Sequence, residues 1–424
     1  MPEQRSRVWS ILTAQSMLSN SLEMEQIDEL TKELEKMQEP SKSQSPTACI
    51  FNFINSTLGS GVLTIPYIFS VAGYIMGPLI SISFAVLALI SFFMLKKACD
   101  ATQKFQFNQL TFALFNNKIL GIISVLMQLI FIQGALISYV VVIKDNMWFF
   151  GQDQELYRNL ATTGATLLLI LPLCFLKQLK MLKFVSYAIL VVFFYITLVL
   201  AIILFRKLKI QPLNVQAFQV NLKSLFALSL SIHAYSAQYN FVNLYCELQN
   251  REKNACKVLF STSLLVVCTY LLVGFFGYFA FEKLTQPDIL SNLPHTILAE
   301  IANSSLLFFM ICHFPLPVYA MRKGMESLIW NVKEVAYWKS VIISCSIVGV
   351  SLAIGLFVHS VDTVLDFTST VAGGSLGFIF PALFAGKVYR KEGSLRGQVA
   401  CAIYMGVGIA IIILAFGIGI YKWA

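Results

Sequence analysis

The residues best placed to do chemistry are Asn52, Asn55, Gly59, Ser60 and Gly61, inside the apolar stretch 47–73. That stretch is long enough to cross a bilayer, yet its middle carries two amides and a Gly-Ser-Gly step. In hydrocarbon every backbone N–H and C=O needs a partner, so a helix interrupted at mid-depth survives only against protein or a water-filled cavity. Interrupted helices of this kind build substrate and ion sites in secondary transporters. Glycine carries no Cβ, so Gly59 and Gly61 permit unwinding. Unwinding exposes N–H groups at the start of the second half-helix, which suit a carboxylate. It also frees carbonyls at the end of the first half, which suit a cation. Asn52 and Asn55, three apart, share a face and add amide groups. The same small residues would also serve close helix packing.

A second polar cluster lies at 222–247, with Ser229, Ser231, His233, Tyr235, Ser236, Gln238, Tyr239, Asn240 and Asn243. Such density is costly against lipid, so these groups should face a cavity or other helices. The expected break lies at Ala234–Asn240, although no Gly or Pro marks it. Glu247 follows, with Arg251 four residues on, as a salt bridge, a cap or a cytosolic gate. Segment 297–321 carries Ser304, Ser305, Cys312, His313, Pro315 and Pro317. His313 sits mid-span with a side chain whose charge changes near neutral pH, so it reads as a proton carrier or as a structural histidine. Asn52, Ser305 and His313 are the candidates for a coupling ion or proton. Segment 366–388 adds Asp366, Thr368, Ser369, Thr370, Gly373, Gly374 and Gly377, whose glycines read first as packing residues.

These residues need spans to hold them. The chain has 424 residues, 57% hydrophobic and 12% charged, against roughly 25% charged in soluble domains. Eleven apolar segments follow the tail, each near the ~20 residues a spanning helix needs: 47–73, 75–98, 119–143, 160–176, 183–205, 222–247, 255–281, 297–321, 338–358, 366–388 and 397–421. Most of the 31 lysines and arginines fall on the side of the N-terminus, which places that terminus in the cytosol. Arg206, Lys207, Lys209 and Lys223 run against this trend. Residues 103–116 are too polar to span and read as a short surface helix. Breaks in segments 1 and 6 fit two five-helix halves with one helix appended.

Residues 1–46 form a cytosolic tail, in which Met24, Ile27, Leu30, Leu34 and Met37 recur at helical spacing; the transporter domain is 47–421. No apolar h-region precedes the first span, so no cleaved leader is expected. The net charge of +9 sits in short loops, which argues for a membrane partner rather than nucleic acid. The nine cysteines show no CxxC, and none falls in a segment placed outside the cytosol. Neither a disulfide framework nor a metal is expected. No nucleophile elbow, P-loop or HExxH is present, so neither an enzyme nor a cofactor is expected.

The pattern N-x-x-N-x-x-x-G-S-G followed by Leu63, Pro66 and Tyr67 resembles the first helix of the amino acid/auxin permease family. Residues 134–145, Asn240 to Leu248 and 314–322 resemble its third, sixth and eighth helices. The likeness runs over roughly 47–390, nearest to the sodium-coupled neutral and vacuolar amino acid transporters. It implies an all-α membrane fold of LeuT type, a 5+5 inverted repeat plus one helix, with helices 1 and 6 interrupted. It implies an amino acid substrate, its carboxylate on the backbone of Gly59–Gly61 and its side chain near Tyr235, Ser236, Gln238 and Tyr239. Two positions depart from the pattern. His313 stands where sodium-coupled members carry Thr, and Ala237-Gln238 where members carry Cys-His or Cys-Gln. Proton coupling or facilitated exchange therefore stands beside sodium coupling. The expectation is a secondary transporter of neutral or cationic amino acids in a plasma, vacuolar or endosomal membrane. The alternative is an amino-acid receptor signalling through the tail.

Overall fold

The apolar runs fold as helices, because only a helix satisfies its backbone within one segment when no water is near. In the computed structural model the described residues are 44–147, 155–175, 183–219, 221–329, 335–358 and 361–423, and their regular elements are helical. The tail up to residue 43 lies outside them.

Helix α1 (Pro46–Thr57) begins where Ser45 accepts from Ala48 N and Pro46 takes the first turn, a position that lacks an intrahelical N–H partner anyway. It stops at Leu58. Helix α2 (Gly61–Ala72) resumes at an angle of 57°. Its exit, Gly73, has φ +100°, and a Cβ there would stand 2.5 Å from the Ala217 carbonyl oxygen. The chain continues through α3 (Met76–Thr102), the short α4 (Phe107–Phe115) within the polar stretch read as a surface helix, and α5 (Lys118–Asn146). Helix α6 (Glu155–Ala165) widens into a π-turn at Thr166–Ile170 and ends as α7 (Leu171–Cys174). After α8 (Lys183–Leu208) come α9 (Phe226–Tyr235) and α10 (Gln238–Glu247), separated by Ser236 and Ala237. Then follow α11 (Arg251–Phe281), α12 (Ile297–His313), α13 (Pro315–Ile329) and α14 (Tyr337–Phe357). Helix α15 (Val361–Thr368) passes through π-turns at Ser369–Gly373 and Ser375–Ile379 into α16 (Phe380–Lys391), and α17 (Leu395–Trp423) closes the chain.

Among the described residues, 8 helices are long and apolar enough to span, or 9 with α1 and α2 as one bent span. This falls short of the eleven segments read from sequence. Segments 160–176 and 222–247 are missing from the count because the structure divides them into short helices. Pro315 and Pro317 do not end their span, which runs as one from Ile297 to Glu326.

Helices α9 and α11 both pack on α2, so the two breaks face each other inside the bundle. The window through α15 and α16 is 67% buried, against 22% for α17, which lies at the periphery. Large side chains such as Leu168, Phe194 and Phe308 stay exposed around the outside, where lipid would cover them.

The end of the bundle where α5, α8, α11 and α14 finish is held by charges. Lys144 Nζ donates to the Gly355, Leu356 and Val358 carbonyls at 3.2, 3.3 and 2.6 Å, a cation on the negative end of α14. Lys207 pairs with Glu282 at 2.8 Å and donates to the last carbonyls of α11. One of the four basic residues that ran against the charge trend is therefore neutralised locally.

Asp288, in the connection between α11 and α12, is buried and caps a short turn by accepting from Leu290 N at 3.0 Å. Burial, helped by the nearby Asp145 charge, pushes its carboxyl up to about 7. An unfolded Asp loses its proton near about 3.9, so the folded form binds the extra proton in between. Stability must then fall as pH rises from about 4 to about 7. Asp288→Asn, which keeps the cap and removes the charge, should flatten that loss. Melting temperatures at pH 5 and pH 8 test it; equal losses in both proteins would contradict the assignment.

Candidate substrate site

An α-helix ends with four carbonyls that no helical N–H reaches. At the end of α1 these belong to Ile54, Asn55, Ser56 and Thr57. The Leu58 N–H takes the Ile54 oxygen at 2.7 Å. The other three partners come from three different helices. His313 Nε2 lies 3.1 Å from the Asn55 oxygen, Tyr239 Oη 3.4 Å from the Ser56 oxygen, and Tyr270 Oη 3.1 Å from the Thr57 oxygen. Tyr270 Oη is also 2.6 Å from the Ala234 oxygen, next to the break between α9 and α10. A carbonyl only accepts, so His313 must carry its proton on Nε2. Its Nδ1 is buried with no hydrogen-bond partner among the described residues, and the ring lies between Tyr139 and Phe309.

The break in α9–α10 falls within the expected Ala234–Asn240. Inside it Ser236 Oγ donates back to the Ile232 carbonyl at 2.5 Å. Such side-chain bonds offer the backbone an alternative to the helix.

A polar chain runs from the first break through the bundle. Ser369 Oγ lies 3.0 Å from His233 Nδ1, His233 Nε2 3.4 Å from Ser60 Oγ, and Ser60 Oγ 2.8 Å from Ser138 Oγ. Ser138 spends its own proton on the Ala135 carbonyl. Ser60 therefore donates to Ser138 and accepts from His233 Nε2, and Ser369 donates to Nδ1. All protons in the chain then point one way, with the imidazole neutral.

Gly59 and Gly61 owe their place to close approach rather than to special dihedrals, because neither has positive φ. A Cβ on Gly59 would stand 2.5 Å from Tyr139 Oη, and one on Gly61 2.9 Å from Ala234 Cα. Among the described residues, neither the Gly59 nor the Ser60 N–H donates a backbone hydrogen bond.

The expected residues divide into those gathered here and those placed elsewhere. Asn55, Ser60, Tyr235, Ser236 and Gln238 are buried around the two breaks, and Tyr239 is half-buried beside them. Tyr235 Oη pairs with Ser81 Oγ at 2.9 Å. Gln238 Oε1 is buried with no hydrogen-bond partner among the described residues. It lines a void of about 10 Å³ shared with Tyr235, Ser236 and Tyr404, room for one water. Asn52 does not join the breaks: its Nδ2 donates to Gln44 Oε1 at 2.6 Å, at the far end of α1. Ser305 donates back along its own helix to Ala302. Glu247 and Arg251 do not bond each other. Glu247 accepts from Gln44, and Arg251 donates to Gln103 and stacks on Phe105. The reading of residues missed Tyr139, Ser138 and Tyr270, each an ordinary residue in an apolar run.

The bundle with its polar groups gathered around paired helix breaks defines a polytopic helical membrane protein. Residues 42–422 match the transmembrane amino acid transporter protein family, and the chain belongs to that family. Solute carrier family 38 member 10 of Rattus norvegicus is 22% identical over 391 residues, covering 87% of this chain and 35% of that protein. The chain thus spans about a third of that relative's length. The sodium-coupled neutral amino acid symporter 2 of Danio rerio is 22% identical, covering 88% of this chain and 82% of that one. The amino acid transporter AVT6E of Arabidopsis thaliana is 23% identical, covering 87% and 81%. Among solved structures, MhsT in complex with L-phenylalanine superposes with a TM-score of 0.60 at 12% identity, over 90% of this chain and all of that one. That likeness is one of fold.

The crowding at Gly59 is testable. Gly59→Ala should lower stability by about 1–3 kcal/mol, the usual cost of overpacking. Tyr139→Phe, which deletes the oxygen the methyl meets, should recover part of that loss in the double variant. Additive effects in a double-mutant cycle would contradict the contact.

Proposed function

We propose that this chain is a secondary active transporter that moves neutral or cationic amino acids across a membrane by alternating access. The observation that carries the proposal is Tyr270, whose hydroxyl touches the carbonyl end of α1 and the carbonyl end of α9 together. Two helix breaks held side by side inside a membrane bundle make a site at the junction of two structural halves.

In this reading the spans number eleven, with α6–α7 and the interrupted α9–α10 each crossing once, as α1–α2 does. The first ten form two inverted halves, α17 is appended, and the N-terminus is cytosolic. The membrane is the plasma membrane or that of a vacuole or endosome. The substrate carboxylate docks on the N–H groups at Gly59–Gly61, at the positive end of α2. Its side chain lies against Tyr235, Ser236, Gln238 and Tyr239, where the unpartnered Gln238 Oε1 provides an acceptor. The void there has room for no more than one water, so an amino acid enters only when the α1–α2 and α9–α10 pairs part. A proton or sodium gradient drives the cycle. The sodium-coupled symporter and the amino acid transporter among this chain's relatives support the amino acid substrate, and the first supports sodium as one of the two driving ions. At the cytosolic end, Gln44 bonds both Glu247 and Asn52, which makes the start of α1 and the end of α10 one moving contact.

Uptake of labelled amino acids by reconstituted liposomes tests the proposal. Accumulation under a proton or sodium gradient is expected; no uptake of any amino acid would remove it. Gly61→Leu should insert normally and lose binding, because its side chain would enter the backbone of Ala234. Wild-type affinity in that variant would contradict a ligand at this break.

A further inference from the structure

The carbonyls at the end of a half-helix are where a transporter of this design holds a metal cation, since they present oxygen lone pairs and the negative end of a dipole. In this chain those carbonyls already have donors. Leu58 N serves Ile54 and His313 serves Asn55, Tyr239 Oη stands 3.4 Å from the Ser56 oxygen, and Tyr270 divides one proton between Thr57 and the nearer Ala234.

We propose that Tyr239, Tyr270 and His313 stand in place of a coupling sodium ion at the end of α1, so that neither folding nor amino-acid binding at this break uses sodium. Three features carry the assignment. First, the donors arrive from α10, α11 and α12, so the cap is built by three-dimensional packing and not by local chain geometry. Second, Tyr270 and His313 are buried, at 0% and 3% exposure, so neither competes with solvent for its proton. Third, each donor points the positive end of an O–H or N–H bond at the oxygen a cation would need. A sodium ion would meet those bond dipoles head-on and would have to turn a buried ring aside for each oxygen gained.

Tyr270 has the larger part. It has one proton and two carbonyl neighbours, at 2.6 and 3.1 Å. The proton is shared or exchanged between Thr57 on one break and Ala234 on the other. A cation bridging the two breaks would do the same work by attracting both oxygens. Tyr270 does it without leaving the protein, which makes it a positioning residue for the pair of breaks. Its own edge-on contact with Tyr235, ring centroids 5.0 Å apart, fixes the ring that presents the hydroxyl.

The consequence for the driving ion rests on the transport reading above, but the ion assignment is measured without any substrate. The full-length protein in detergent is melted in sodium chloride and in choline chloride at equal ionic strength, with no amino acid present. A ligand that binds only the folded form raises the melting temperature. The wild type should melt at the same temperature in both salts. Tyr270→Phe and His313→Thr each uncap a carbonyl, and His313→Thr adds a ligand oxygen; each should gain a sodium-specific rise of more than about 2 °C. A sodium-specific rise in the wild type would overturn the proposal. So would variants that fold yet show no sodium response, because their donors would then not be what excludes the ion. If a variant fails to fold, the wild-type comparison still decides. A repeat with each amino acid added separates the two ideas. No stabilisation by any amino acid would fail the transport reading and leave the sodium result standing, whereas stabilisation that needs sodium would fail the present inference alone.

Discussion

A helix that stops inside a membrane leaves carbonyls that water cannot reach, and the organisation of this bundle follows from answering them. An unpaired buried carbonyl costs about 1–3 kcal/mol, and the Asn55 oxygen is of that kind, while the Ser56 and Thr57 oxygens lie in part-buried contacts. The chain answers from a distance. His313, Tyr239 and Tyr270 come from sequence separations of 183 to 258 residues to reach three successive oxygens of α1. Those contacts fix where α10, α11 and α12 stand around the break. The glycines then let Tyr139 and α9 close in from the other side.

The same constraint orders the polar chain from Ser369 through His233 and Ser60 to Ser138. Ser369 starts it as a donor, and His233, Ser60 and Ser138 each accept once and donate once, ending on a backbone carbonyl. Such a network sets one tautomer of His233 and ties the first break to α5, α9 and the π-turn of Ser369–Gly373. A π-turn adds a residue to the helical turn and is often found at functional sites; here it carries Ser369. Movement of α1 and α2 would have to exchange these bonds as a set, which favours discrete states over gradual bending.

Much of this was legible in the sequence, and what was not has a common cause. The composition and the apolar runs gave the membrane bundle, and Gly-Ser-Gly gave the place of the first break. The Ser236 region gave the second break without Gly or Pro, because polar density alone marked it. For the glycines the sequence offers both unwinding and close packing, and the close approach is what their surroundings require. A sequence cannot say that Tyr139 and Ala234 stand where a Cβ would go. Tyr270 was passed over because one tyrosine in an apolar run has no period and no neighbour to mark it. Asn52 was assigned to the site on helical spacing from Asn55, but the chain bends back through Gln44 and claims its amide first. Glu247 and Arg251 suggested a pair by their i, i+4 spacing, yet α10 ends at Glu247 and α11 starts at Arg251, so the two are not on one helix. Long-range partners decide these cases, and spacing along the chain is silent about them.

The carbonyl end of α1 is thus held by the protein's own side-chain donors. The most direct measurement is an electron cryo-microscopy map of the full-length protein in sodium chloride, at a resolution that shows ring orientation and ordered ions. A break after Thr57 is expected, with the Tyr270 hydroxyl between the Thr57 and Ala234 oxygens and the His313 ring edge on the Asn55 oxygen. A straight first helix, or these rings turned away around an ion seated among the carbonyls, would contradict it.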